Sequence, residues 1–221
     1  MISDLHINHE YEPLSPSDSV EFALEKLRAY HLDLLPLVDK QQHLMNYVSA
    51  YDIEALDKHT LLSDLPLFAS VLPYVTSNEH LLGSLSRLKS QHLSLIAVLD
   101  DNGDYQGILR TKDVVKALGQ SLTIKSAGSI IVLRVKPIDF SMSDISRIIE
   151  YSDAKILGFL TFEISGSEDL EIHLKLNTNS LKIILATLER YDYKVTQYFN
   201  REDLTDDLDT RYENLMKFID I

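Results

Sequence analysis

Cysteine and tryptophan are absent from this chain of 221 residues, and its 7 glycines form no phosphate-binding or nucleophile-elbow motif. The lack of cysteine excludes disulfide scaffolds, thiolate zinc sites and cysteine nucleophiles. Because no glycine-rich motif or other catalytic constellation is present, we predict that the protein is not an enzyme. His6 and His9 have no supporting ligand cluster, so we also predict no metal site.

Long apolar runs and basic stretches are also missing. No apolar run approaches the roughly 18 residues of a membrane span, and the first residues lack the two regions of a signal peptide. Lysine and arginine number 21 against 34 acidic residues, which gives a net charge of -13. Without a basic stripe, nucleic acids and anionic membranes are unsuitable partners. We therefore expect a cytoplasmic protein that binds neither.

The first half of the chain is an internal repeat. Residues 14–58 align with residues 75–119 at an offset of 61 without a gap, and residues 2–5 echo residues 62–65 one residue off register. A period of this length indicates a duplicated structural unit. The identical pairs are Leu24/Leu85, Leu27/Leu88, His31/His92, Leu32/Leu93, Leu34/Leu95, Asp39/Asp100 and Asp52/Asp113.

Each repeat predicts a helix, two strands and a second helix. A helix capped at residues 17–18 or 78–79 precedes a short apolar strand at 34–38 or 95–99. A polar turn follows, and Asn-Gly at 102–103 is typical of a hairpin. The second strand covers 44–48 or 105–109, and the closing helix lies near 50–57 or 111–118. The recurring histidines, His31 and His92, fall at the end of the first helix, where a structural role is expected.

Two motifs carry a resemblance to a known family. The first repeat has Leu-Pro-Leu-Val-Asp at 35–39 and Ser-Ala-Tyr-Asp at 49–52. The second has Gly-Ile-Leu at 107–109, followed by Arg-Thr-Lys-Asp at 110–113. In this order, the repeats resemble CBS domains, which occur in tandem. Asn46 stands where the family favours Gly, and Arg110 stands where it favours Ser or Thr. The resemblance implies two CBS domains, at residues 1–60 and 61–122.

Ser49 and Asp52 have two compatible roles. Ser49 is placed to cap the second helix, and Asp52 suits the positive end of the helix dipole. The resemblance implies a second role, in which the aspartate accepts both ribose hydroxyls of a nucleotide and the serine lies by its phosphate. A carboxylate has two acceptor oxygens and matches a cis-diol.

The second repeat offers Arg110, Thr111 and Asp113 at the same positions. Arg110 is either a solvated surface residue or a phosphate contact. Thr111 lies one place late and is either a helix cap or a ligand contact. Together with Ser49 and Asp52, these residues are our candidates for nucleotide binding, and no required cofactor is predicted.

The third region, residues 128–200, follows a polar linker and predicts the order βαββαβ of ferredoxin-like folds. After a CBS pair, this order resembles an ACT domain. The turn at 137–141 contains no glycine, and Lys155 replaces a ligand-contacting position of that family. We therefore expect no tight amino-acid binding there. Residues 201–221 carry an apolar stripe at helical spacing and predict an amphipathic tail helix.

The whole arrangement is an α+β chain that is similar to acetoin-utilisation-type CBS–ACT regulatory proteins. The resemblance implies a homodimer that senses an adenine nucleotide, of the AMP, ADP, ATP or S-adenosylmethionine class, in the CBS cleft. The alternative is a structural or interaction dimer module whose ligand sites have decayed.

Overall fold

The first repeat begins with an amphipathic helix whose apolar face packs inward. In a computed structural model that describes residues 7–66 and 72–200, α1 spans Val20–Tyr30, β1 Leu34–Val38, β2 Leu44–Ser49 and α2 Ala50–Ile53. Ser19 rather than residues 17–18 caps α1, because the Asp18 carboxylate instead accepts the Ser15 N–H at 2.8 Å. The α2 helix is a single turn and ends four residues earlier than predicted.

The second repeat has the same order of elements. Strand β3 spans Tyr74–Thr76, α3 Leu81–Ser90, β4 Leu95–Leu99, β5 Tyr105–Arg110 and α4 Thr111–Gly119. His80 caps α3 in place of residues 78–79. The predicted helix-strand-strand-helix repeat is therefore confirmed.

His31 and His92 share an unusual backbone conformation. Both residues follow the first helix of their repeat with φ of 53° and 55°. The next residue in each repeat closes the helix end: Leu32 N–H donates to the Leu27 carbonyl and Leu93 N–H to the Leu88 carbonyl, both at 3.0 Å. This left-handed helix ending is tolerated better by polar residues such as His than by β-branched ones. The recurrence of histidine thus coincides with a backbone requirement.

The strands of the two repeats enclose a shared core. Strands β1 and β2 are antiparallel, and β3, β4 and β5 form a second sheet. The turn between β1 and β2 also contacts the start of β5, where the Tyr105 N–H donates to the Gln42 carbonyl at 2.7 Å. The buried cluster common to both repeats comprises Val38, Leu95, Ala97, Leu99, Tyr105 and Ile108.

The lead-in segments are exchanged between the repeats. Ile7 belongs to the core of the second repeat, and Asn8 pairs with Ile108 of β5 through hydrogen bonds of 2.9 and 3.2 Å. Gly107 permits this approach, since a Cβ there would lie 2.8 Å from the Asn8 carbonyl oxygen. Conversely, Leu62 is buried in the core of the first repeat.

The described residues form two compact units, which divide between Gly119 and Gln120. In the second, α5 spans Leu122–Lys125, β6 Ile130–Val135, α6 Met142–Glu150, β7 Ile156–Glu163, β8 Leu170–Leu176, α7 Lys182–Arg190 and β9 Lys194–Phe199. The antiparallel sheet has the order β7-β8-β6-β9, which confirms the ferredoxin-like prediction. Its core is built from alternate residues of β6 and β8 and from the apolar faces of α6 and α7.

The segment predicted as a linker contains helix α5. Thr123 of this helix donates a hydrogen bond to the Leu157 carbonyl at 3.0 Å. Gly158 makes room for it, because a Cβ at that position would lie 2.0 Å from the Thr123 hydroxyl oxygen. The predicted tail helix at 201–221 lies outside the described residues. Within 7–66 and 72–200, no helix combines the length and apolarity that crossing a bilayer requires.

Candidate functional site

Ser49 lies where β2 passes into α2. Its backbone is extended, and its hydroxyl accepts a hydrogen bond from the Tyr51 N–H at 3.2 Å. This is the predicted N-cap. Because α2 has only one turn, few peptide dipoles add up behind this end of the helix, and its attraction for anions is small. The capping role therefore depends on the single hydrogen bond rather than on the dipole.

Asp52 lies in the first turn of α2 and is exposed. Across residues 7–66 and 72–200, nothing donates a hydrogen bond or forms an ion pair to its carboxylate. The residue lies on the wall of a cavity of about 570 Å³. Both carboxylate oxygens are thus available to a ligand from that cavity.

The cavity beside Asp52 belongs wholly to the first unit. Its walls come from β1, β2, α2 and the segment that follows, and most of its lining is aliphatic. Asn46, which stands at the family's glycine position, contributes a polar amide to it. The remaining lining residues are Leu37, Tyr47, Val48, Ile53, Leu56, Leu62, Leu65 and Pro66.

Arg110 and Asp113 at the β5–α4 junction of the second repeat bind each other. Arg110 Nε donates to Asp113 Oδ2 at 2.7 Å, and a terminal guanidinium nitrogen donates to Oδ1 at 2.8 Å. The Arg110 backbone N–H also donates to Oδ2 at 3.3 Å. Only 11% and 17% of the two side chains are exposed. This bidentate geometry uses both oxygens of the carboxylate.

The ion pair shifts the acid–base behaviour of both partners. Burial alone would raise the pKa of the Asp113 carboxyl, but the hydrogen bonds and charge of Arg110 outweigh it and lower that pKa. The hydrogen bond from the guanidinium to Asp113 in turn raises the pKa of Arg110. Both groups are therefore held in their charged forms.

Tyr11 completes the cluster from a distant part of the sequence. Its hydroxyl accepts a hydrogen bond from Arg110, and the guanidinium carbon lies 4.7 Å from the centre of its ring. Tyr30 packs edge-on against Tyr11 at a centroid distance of 5.0 Å. Tyr11 was not among the predicted site residues, because no local sequence pattern signals a contact across 99 residues.

Thr111 is the first residue of α4, and it is half-buried. Its backbone N–H donates to the Ser94 carbonyl at 2.9 Å, and its hydroxyl lies 3.5 Å from the Leu93 carbonyl oxygen. The structure thus groups the five candidate residues by repeat. Ser49 and Asp52 share one junction, while Arg110, Thr111 and Asp113 share the other.

The positions tied to amino-acid binding in the second unit have structural partners. Phe140 packs against the hydrophobic core. The Lys155 backbone N–H donates to the Asn177 side-chain oxygen at 2.6 Å, and its ammonium lies 3.6 Å from Glu150. In the part of the chain that the structure describes, no group of three or more acidic or histidine side chains could hold a metal ion.

Comparison with known proteins identifies the first unit. The CBS domain profile matches residues 2–56 and 66–120. A CBS domain pair/ACT domain protein from Thermotoga maritima is 17% identical with a TM-score of 0.50 and covers 55% of this chain and 99% of its own. At that identity, the likeness shows a shared fold.

Two further solved structures are similar over about half of this chain. The CBS domains of a transcriptional regulator from Streptococcus pneumoniae are 19% identical (TM-score 0.45; 50% and 91% covered). CBSX2, solved in complex with AMP, is 29% identical (TM-score 0.46; 52% and 91% covered). The profile match and the repeated architecture lead to one conclusion: the first half of this chain is a tandem pair of CBS domains.

Proposed function

We propose that this protein is a regulatory ligand sensor whose CBS pair binds an adenine nucleotide, of the AMP, ADP, ATP or S-adenosylmethionine class, at the first repeat. The observation that carries the proposal is the carboxylate of Asp52, which has no partner among the described residues and lies on the wall of the 570 Å³ cavity. A carboxylate can accept hydrogen bonds from both hydroxyls of a ribose. Ser49 is proposed to lie near the phosphate.

The lining of the cavity suits a purine. Small-molecule sites are usually mostly apolar, with a few polar groups that fix orientation, and occupy about 300–1,000 Å³. The cavity beside Asp52 has this size and this kind of lining. Its aliphatic walls would cover the faces of the base, and Asp52 would hold the sugar. The proposed role is therefore binding, and no catalytic step is assigned to these residues.

Arg110, Thr111 and Asp113 remain proposed nucleotide contacts of the second repeat. As the structure stands, Arg110 and Asp113 satisfy each other, so a ligand would have to open that ion pair first. This observation favours the alternative role for the second repeat, an interaction module whose ligand site has decayed.

Binding experiments separate the two roles. Isothermal titration calorimetry and thermal shift with AMP, ADP, ATP and S-adenosylmethionine should give saturable binding to the full chain by at least one of them. Uridine monophosphate is the matched control, because it retains the ribose and phosphate and lacks the purine. No saturation by any of the four at millimolar concentration would reject the sensor role and leave the interaction module.

The proposal includes an ACT-like second unit and a homodimer, as in acetoin-utilisation-type CBS–ACT proteins. The ferredoxin-like sheet after a CBS pair supports the first part. The resemblance to that family supports the second part, and Tyr51 of α2 and Val115 of α4, of which 82% and 59% are exposed, are available to a partner chain. Light scattering at micromolar concentration should give about twice the 25.2 kDa of one chain. A mass near 25 kDa would reject the dimer.

A further inference from the structure

The two aspartates at equivalent positions of the CBS pair do not have the same freedom to bind a ligand. We propose that Arg110 blocks the nucleotide site of the second repeat at Asp113. The CBS pair then binds one nucleotide per chain, at Asp52. This inference rests on the proposed function of the first repeat. It adds the stoichiometry and the residue that sets it.

Arg110 occupies the place where a ligand would meet Asp113. Both carboxylate oxygens of Asp113 accept hydrogen bonds from the guanidinium, at 2.7 and 2.8 Å. A ribose would need those same two acceptors. A planar guanidinium binds a carboxylate through two parallel, charge-assisted hydrogen bonds. The hydrogen bonds from a neutral diol to the same carboxylate are weaker. The ligand must therefore compete with a charged group already bound.

Tyr11 holds Arg110 in this position. Its hydroxyl accepts a hydrogen bond from the guanidinium nitrogen that does not reach Asp113. The guanidinium also lies 4.7 Å from the ring centre, within the range of a cation–π interaction. The side chain of Arg110 is 11% exposed. Moving the guanidinium away would break its hydrogen bonds with Asp113 and its contacts with Tyr11 at the same time.

The first repeat has no such closing residue at the equivalent position. Ser49 replaces Arg110 at the offset of 61, and its short side chain accepts the Tyr51 N–H. It therefore cannot reach across to neutralise Asp52. If the Arg110–Asp113 pair is open in about 1% of molecules, the second repeat binds a nucleotide about 100-fold more weakly than an open site would.

Calorimetric stoichiometry on the full chain tests the inference, with whichever adenine nucleotide saturates the wild type. One ligand per chain is expected for the wild type, and Asp52→Ala should weaken this binding roughly 30- to 1000-fold. Arg110→Thr supplies the hydroxyl that the family favours and should add a second saturable site. Lys112→Thr is the matched control, because it removes one positive charge from the same helix turn and leaves the hydrogen bonds between Arg110 and Asp113 in place. It should keep one site.

Each outcome bears on a different claim. Two sites in the wild type would overturn the closure and leave the sensor role intact. A single site in a folded Arg110→Thr variant would overturn the role of Arg110. No saturable binding in either protein would reject the proposed function and this inference with it. If Arg110→Thr does not fold, Asp52→Ala decides alone: a remaining site of full stoichiometry and unchanged affinity would show that the second repeat is open.

Discussion

The two CBS repeats keep an aspartate at the same place, yet these two side chains are in opposite states. Asp113 is ion-paired and 17% exposed, whereas Asp52 is exposed on a cavity wall. The difference comes from the residue three places earlier, which is Ser49 in one repeat and Arg110 in the other. A motif residue that is retained in a repeat is therefore not always available to a ligand.

Asp52→Ala is the most severe test of this comparison. It removes two charge-assisted hydrogen bonds from the proposed ribose contact, each of about 1.5–3 kcal/mol. Because such effects are not additive, we expect about 2–4 kcal/mol in total, or roughly 30- to 1000-fold weaker binding by calorimetry. The ligand-free melting temperature should change little, and Asp52→Asn should lose less affinity.

Asp113→Ala is the control for that experiment. Its carboxylate already holds Arg110, so we expect a smaller loss of affinity than for Asp52→Ala. If Asp113→Ala abolished binding and Asp52→Ala left it intact, the assignment of the two repeats would be reversed.

Arg110→Ala should affect folding rather than binding at the first repeat. It leaves the poorly exposed carboxylate of Asp113 with only a 3.3 Å backbone hydrogen bond, which is expected to cost about 1–3 kcal/mol in the free energy of unfolding. Urea denaturation of the ligand-free protein measures this. Ser49→Ala is the equivalent change in the first repeat and should cost less, because it removes a single cap from a one-turn helix. Equal losses would contradict the difference between the repeats.

Two tyrosines, the half-buried Tyr47 and the buried Tyr105, extend the comparison to the shared core. Tyr47 donates to the Pro73 carbonyl at 2.6 Å and accepts the Ala97 N–H at 2.9 Å. The hydroxyl of Tyr105 is buried and has no hydrogen-bond partner within residues 7–66 and 72–200. Burial raises the pKa of both phenols far above the usual range. Tyr47→Phe should therefore lower the free energy of unfolding by about 1–2 kcal/mol, and Tyr105→Phe by almost nothing. The reverse order in chemical denaturation would refute this.

Acid should remove the contribution of the Arg110–Asp113 pair. The pKa of Asp113 is lower in the folded chain than the unfolded value of about 3.9. Its stabilising contribution is therefore complete above about pH 4 and is lost as the pH falls through the folded pKa. The difference in unfolding free energy between wild type and Asp113→Asn should shrink from pH 6 to pH 3. In an Arg110→Ala background the same substitution should show no such pH dependence, and a persistent one would exclude Arg110 as its cause.

The second unit provides the smallest expected effect. With Phe140 packed into the core and Lys155 in contact with Glu150 and Asn177, no amino acid should give saturable heat at micromolar concentration. Calorimetry with the twenty amino acids checks this expectation, and tight binding of any of them would refute it.

Periodicity predicted most of this fold because it records burial directly. The short apolar runs at 34–38 and 95–99 predicted β1 and β4 with the bounds that the structure has. The predicted end of α2, near residue 57, was wrong. The helix ends at Ile53, which is the one buried residue of its single turn. The caps of α1 and α3 were misplaced by one or two residues, since Asp18 and Asn78 bind other partners.

The state of the candidate site was less accessible to sequence reasoning. Ser49 was predicted as a cap from local spacing alone, and the structure shows that hydrogen bond. The pairing of Arg110 with Asp113 could also have been considered, because Arg110 directly precedes α4 and Asp113 lies in the first turn of that helix. The contact between Tyr11 and Arg110 could not have been predicted, since it depends on how the two CBS repeats pack against each other.

The exchanged lead-ins have an evolutionary consequence. Ile7 completes the core of the second repeat and Leu62 that of the first, so each copy of the duplication depends on residues encoded beside the other. Deleting either copy from the gene would remove one hydrophobic contact from the copy that stays and uncover its buried surface. After this exchange, the two copies can still diverge by substitution, as they have at Ser49 and Arg110. Loss of one copy, however, is no longer easily tolerated by the other.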